Sequence, residues 1–115
     1  MDTQSPLFNR PSALERLEGD EELLREIIGI FLEDAPRLFL ALKQARTERD
    51  QKTSERQAHS LKGASANVGA TALQEISLTA ENSAREGRWE ELESLLPEME
   101  QRLHASLDAL RKELQ

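Results

Sequence analysis

The chain has no cysteine. Neither a disulfide scaffold nor a thiolate metal site can be built from it, and the usage fits a reducing compartment. Aromatic residues are scarce, at 3%, and there are only five glycines, whereas Leu, Ala, Glu and Arg are plentiful. That balance favours helix over sheet. Long apolar runs are missing too: the longest, residues 27–32, falls far short of the ~20 residues a membrane span needs. Residues 1–5 show no basic stretch ahead of an apolar core, so no signal peptide is expected. Positive charge is not in excess, and the formal net charge of −7 argues against nucleic acid as a partner. No Gly-rich loop follows a strand, and no Ser/His/Asp arrangement has a readable spacing. A nucleotide site, a cofactor and autonomous kinase activity are therefore not expected. With 115 residues the chain is long enough for one core. A single soluble domain in the cytoplasm is the expectation.

What is present is helical periodicity. Residues 1–7 read as a loose polar lead-in, and 8–115 as the domain. Ser12 and Glu15 have the spacing of a capping box, which predicts a short helix from Ser12 that stops near Gly19. Asp20 is placed to cap the next helix, with Glu21 and Glu22 favourably set against its dipole. Leu23, Leu24, Ile27, Ile28, Phe31 and Leu32 form its apolar stripe, continued by Leu38, Ala41, Leu42 and Ala45. Pro36 interrupts that run and predicts a kink or brief break near Asp34 and Ala35. Residues 47–50 read as a loop, with Asp50 or Thr53 capping a central helix that runs to Val68. Gly69 supplies the left-handed residue that ends it. A fourth helix from Thr71 carries Leu73, Ile76, Ala80 and Ala84 and closes at Glu86 and Gly87. Trp89 opens the last, whose leucines and Met99 recur at near-heptad spacing through Leu114, with Pro97 as a possible bend. Four long amphipathic helices on short loops bury their stripes most simply as an all-α, antiparallel four-helix bundle, here with a short additional N-terminal helix.

The stretch from Ala58 to Ala70 stands apart. At about 100° per residue, Lys52, Glu55, Arg56, Lys62, Gly63 and Ala66 all fall within roughly 60° of His59. Leu61, Val68 and Gln57 lie on the far side. His59 is thus placed on a solvent face, away from the core. Gly63 costs about 1 kcal/mol relative to alanine in a helix interior. With the small Ala66 it leaves open surface around the ring, enough for another protein to approach. Lys62, at i+3, can bring an ammonium to an anion on the ring. Imidazole titrates near ~6.5, so a free ring at neutral pH is mostly a nucleophile. That chemistry suits a histidine that accepts and returns a phosphoryl group. Glu55 and His59, at i and i+4, make half a metal site, but no further ligands are evident and no metal is expected. The other histidine, His104, lies beside the leucine stripe and is read as partly packed and structural.

The pattern Ala58-His59-x-Leu61-Lys62-Gly63-x-Ser65, with Gly69-Ala70 after it, resembles the signature of histidine-containing phosphotransfer (HPt) domains of bacterial phosphorelays. Phe8 to Leu14, Gly19-Asp20-Glu21 and residues 81–87 fit as well. One departure is Ala80, where many members place an aliphatic residue before the acid. The resemblance implies a helical bundle with His59 as phosphoacceptor, Lys62 beside the phosphate and Gly63 as the clearance position. Arg56, Gly63 and Ala66 become candidate docking residues, with Lys52 or Arg56 as further balance for the phosphate. It also implies that Mg²⁺ and most catalytic groups belong to the receiver. The expected partners are receiver domains of response regulators or a hybrid histidine kinase, met by a monomer. The rival reading is a helical adaptor that binds partners through the Phe31 and Phe39 region without chemistry at His59.

Overall fold

The computed structural model describes residues 6–115, and among these five helices and no strand occur. They are α1 (Arg10–Arg16), α2 (Glu21–Thr47), α3 (Gln51–Asn67), α4 (Thr71–Arg85) and α5 (Trp89–Glu113). Packing joins α2 to α3, α3 to α4, α4 to α5 and α5 back to α2, with no diagonal pair in contact. Three-residue connections at 48–50, 68–70 and 86–88 force each helix to run antiparallel to the one before. The expected four-helix bundle with a short N-terminal helix is the observed architecture. Its core is made of Leu24, Ile28, Phe31, Phe39 and Leu42 from α2, Leu61 from α3, Leu73 and Ile76 from α4, and the α5 stripe Leu92, Leu96, Met99, Leu103, Leu107 and Leu110.

The α3–α4 seam matters most for the site. Its buried residues are mostly small: Ser54, Ala58 and Ser65 on α3, and Ala72, Ser77, Ala80, Ser83 and Ala84 on α4. Small side chains let two helices approach at the short end of the usual 8–10 Å range. The ends of the pair are tied as well. Asp50 caps α3, accepting from the Thr53 amide at 3.1 Å and the Thr53 hydroxyl at 2.8 Å. Those two bonds hold its carboxyl below the ordinary range. Gln51 Nε2 donates to the Arg85 carbonyl at 2.7 Å, satisfying a C-terminal acceptor of α4. At the opposite end α4 has no side-chain cap, and the Ala72 amide donates instead to the Pro6 carbonyl at 2.9 Å.

Several local expectations change. The first helix is capped by Asn9, whose side chain accepts from the Ser12 amide, so it begins at Arg10, two residues before the expected Ser12 cap. Pro11 explains the shift, because a first-turn proline lacks only an amide that the helix leaves unpaired anyway. Asn9 itself is fixed by donating its amide to the Gly69 carbonyl at 2.7 Å. Pro36 does not break α2, which is helical without interruption from Glu21 to Thr47. Phe31, Ala35 and Phe39 are buried on both sides of it, so tertiary packing carries the helix through the missing hydrogen bond. Pro97 likewise lies inside α5. Asp20 and Asp50 cap as expected, and Gly69 adopts φ +74. Of the lead-in, residues 1–5 lie outside the described residues.

Candidate functional site

His59 projects from the middle of α3 with 64% of its side chain exposed. Beneath it sits Glu81, only 5% exposed, delivered by α4 across the close α3–α4 seam. His59 Nδ1 lies 2.9 Å from Glu81 Oε2, and Lys62 Nζ lies 2.7 Å from Glu81 Oε1. Arg85, one turn further along α4, places NH2 3.2 Å from Glu81 Oε2 and Nε 2.9 Å from Glu55 Oε2. Its remaining NH1 donates to Asn82 at 2.9 Å. One carboxylate thus joins His59, Lys62 and Arg85.

The electrostatics follow from this arrangement. Burial pushes the Glu81 carboxyl up, but hydrogen bonds and charge from Lys62 and His59 outweigh it and hold the group below its ordinary value of 4.5. Glu81 is therefore an ionised acceptor with no proton to give. The proton between it and the imidazole belongs to Nδ1, which fixes the tautomer and leaves the lone pair on Nε2. Since Nδ1 faces Glu81, the nitrogen with the free lone pair is the one turned away from it, on a ring that is mostly exposed. Ion pairing with Glu55 raises Arg85 above its ordinary value.

The structure brings His59, Lys62, Lys52, Glu55 and Arg56 to one face. Lys52, Glu55, Arg56, His59 and Glu81 line a shallow open depression. A Cβ added at Gly63 would meet nothing within 4 Å, so the helix surface there is open. Ala66, two turns from His59, is partly exposed. Lys62 is less free than its position on the helical wheel implies, with 27% of its side chain exposed and its ammonium on Glu81. Glu81 is the residue that sequence reasoning missed. Its signal was an acid inside the buried α4 stripe, between Ser77 and Ala84, where an unpartnered carboxylate is costly.

The structure removes the rival reading and overturns one expectation. Phe31 and Phe39 are 2% and 5% exposed, so they form core and offer no docking surface. The exposed large apolar residues of α2 are instead Leu23, Ile30 and Leu40. His104 is not packed: 66% of its side chain is exposed, with Glu100 3.7 Å away. Among the described residues no group of three or more His, Asp or Glu could hold a metal ion.

Comparison with known proteins places these features in a family. The family model for the Hpt domain matches residues 26–113. Among solved structures, the crystal structure of histidine-containing phosphotransfer protein B (HptB) from Pseudomonas aeruginosa PAO1 is similar, with a TM-score of 0.86 and 25% identity over 95% of each chain. No curated protein sequence matches.

Proposed function

Because the chain belongs to the Hpt domain family, we propose that His59 is the residue on which it carries a phosphoryl group. The chain is a phosphorelay intermediate, and Hpt domains of this kind exchange phosphoryl groups with receiver domains. The observation that carries the assignment of His59 is the Nδ1 contact with ionised Glu81, which leaves Nε2 as the nucleophile of an exposed ring.

The reaction is a displacement at phosphorus. The Nε2 lone pair forms the N–P bond as the P–O bond to the receiver's aspartyl carboxylate breaks, and the electron pair leaves with that carboxylate. Nδ1 keeps its proton throughout, so the phosphorylated ring is briefly cationic over the Glu81 carboxylate. Return transfer reverses each step, with neutral imidazole as the leaving group. Lys62, one turn from His59 and paired with the same carboxylate, supplies charge to the phosphoryl oxygens, and Gly63 and Ala66 leave the receiver room to approach. Catalysis of this type is mainly positioning plus charge stabilisation. On this reading the domain works as a monomer in the cytoplasm, with neither nucleic acid nor a membrane surface as partner. No described helix is long and apolar enough to cross a membrane.

The test is labelling from a receiver phosphorylated on its aspartate. His59→Gln takes up no label and stays folded, because the side chain is exposed and fills no core volume. His104→Gln labels normally. The wild-type label is acid-labile and base-stable, as an N–P bond requires. Label retained by His59→Gln and lost from His104→Gln would overturn the assignment.

A further inference from the structure

Most cations of this chain are committed. Arg10 pairs with Glu21 and Glu113, Arg46 with Glu93, Lys62 and Arg85 with Glu81, Arg88 with Glu86 and Glu91, and Arg102 with Glu98. Lys52 and Arg56 are different. Both are exposed, both line the depression that contains His59, and neither makes an ion pair or hydrogen bond within the described residues. Arg56 does no more than lower the Asp50 carboxyl through space. They stand one turn apart on α3, with His59 three residues beyond Arg56.

The placement of Lys52 runs against local preference. Lys52 sits in the first turn of α3, where the helix dipole disfavours a cation. The first turns of α2 and α5 hold Glu21 and Glu22, and Glu90 and Glu91, whereas those of α1, α3 and α4 have no acid. Lys52, Arg56 and Lys62 against Glu55 give α3 a net charge of +2 in a protein of net charge −7. The acceptor thus lies in a cationic island, and two of its three cations, Lys52 and Arg56, have no structural partner. Local rules broken without internal compensation point to a requirement outside the fold.

We propose that Lys52 and Arg56 form a cationic docking edge for an acidic surface of the receiver beside its phosphorylated aspartate. The proposal rests on His59 being the acceptor and names what holds the partner there. The occupant follows from charge complementarity. The incoming group is anionic, the rest of this chain repels an acidic partner, and of the exposed cations without an ion pair only Lys52 and Arg56 lie on the helix that bears the acceptor, Arg49 and Lys112 lying outside it. Lys62 and Glu81 serve the phosphoryl group, whereas Lys52 and Arg56 serve encounter and orientation. Attraction between opposed surface charges acts mainly on association rate and is screened by salt.

The experiment compares wild type, Lys52→Gln/Arg56→Gln, and Lys112→Gln as a remote control, using two phosphodonors. One is a receiver domain loaded on its aspartate with acetyl phosphate and repurified; the other is phosphoramidate, which needs no docking. At low ionic strength the double variant should take phosphate from the receiver about tenfold more slowly in kcat/KM, and the gap should close to within about twofold near 0.5 M salt. Lys112→Gln should match wild type, and all three should label equally from phosphoramidate. A double variant with the wild-type rate and salt slope overturns the docking edge. So does an equal loss with phosphoramidate, which would assign the two cations to the phosphoryl group instead. Wild-type protein that takes no label on His59 from either donor would sink the acceptor assignment itself, a separate failure.

Discussion

Replacing Glu81 by alanine tests the site more severely than replacing His59, because it asks whether the arrangement beneath the ring matters. The change leaves His59 Nδ1 and the Lys62 ammonium without their acceptor and removes one of the two carboxylates on Arg85. A hydrogen bond to a charged group contributes about 1.5–3 kcal/mol. His59 and Arg85 are 64% and 51% exposed, so water replaces much of what they lose, and the Lys62 contact, at 27% exposure, dominates. The net cost is about 2 kcal/mol, and at an unfolding entropy of about 2.1 cal/mol/K per residue this lowers Tm by about 8 °C. The cost depends on pH in a definite direction. Glu81 titrates below 4.5 when folded and near its ordinary value when unfolded, so its contribution is complete above about pH 4.5. It declines as the pH falls through the folded value, where both states become protonated. Denaturant unfolding of wild type and Glu81→Ala should therefore show a gap at pH 7 that shrinks below pH 4.5. Phosphotransfer should fall about tenfold to a hundredfold, because nothing then fixes the proton on Nδ1 or anchors the Lys62 ammonium beside His59. Glu81→Gln keeps an oxygen for Nδ1–H and should retain more activity than alanine while losing the pH dependence. A Glu81→Ala protein with wild-type transfer, or with a stability gap that ignores pH, would refute this reasoning.

Other outcomes follow from the same geometry. Gly63→Ala and Gly29→Ala should each stabilise the fold by about 0.5–1 kcal/mol in chemical denaturation, since neither added Cβ meets an atom within 4 Å. Gly63→Gln should fold as well as wild type yet lose most receiver-dependent labelling, while Gly29→Gln keeps it; equal activity in the two glutamine variants would show that the surface beside His59 is not crossed by the partner. Lys62→Ala should slow transfer about tenfold to a hundredfold and destabilise by about 1 kcal/mol, both read on one sample, because the ammonium is bound to a buried carboxylate. Gly69→Ala should cost about 2–4 kcal/mol in thermal or denaturant unfolding, since φ is +74 and the new Cβ would come within 2.5 Å of the Asn9 carbonyl oxygen.

Much of this was readable along the chain, because helices announce themselves over short distances. The caps at Asp20 and Asp50, the left-handed Gly69 and the start of α5 at Trp89 are each set by one residue and its near neighbours. The outward direction of His59 follows from the same 3.6-residue period, which sends Leu61 inward to 0% exposure and leaves the ring outside. Periodicity also sorts core from surface within a helix, as the burial of Phe31 and Phe39 shows, but it does not say how deep a residue lies at a seam, and His104 is exposed where partial packing is expected. The start of α1 was missed because its cap, Asn9, is held by the Gly69 carbonyl sixty residues away. Pro36 was expected to break α2 because its missing hydrogen bond is local, whereas the packing that carries the helix past it is not. The site itself was half legible. His59, Lys62 and Gly63 are neighbours in sequence and share one face. Glu81 lies twenty-two residues from His59 on another helix, and no pattern along one helix can report a contact across two. What placed a buried carboxylate against Nδ1 was the closeness of α3 and α4, set by serines and alanines whose effect appears only when the two surfaces meet. The helical period alone put His59 on the surface; only the packing of α4 against α3 turned Nδ1 to Glu81 and left Nε2 facing away from it.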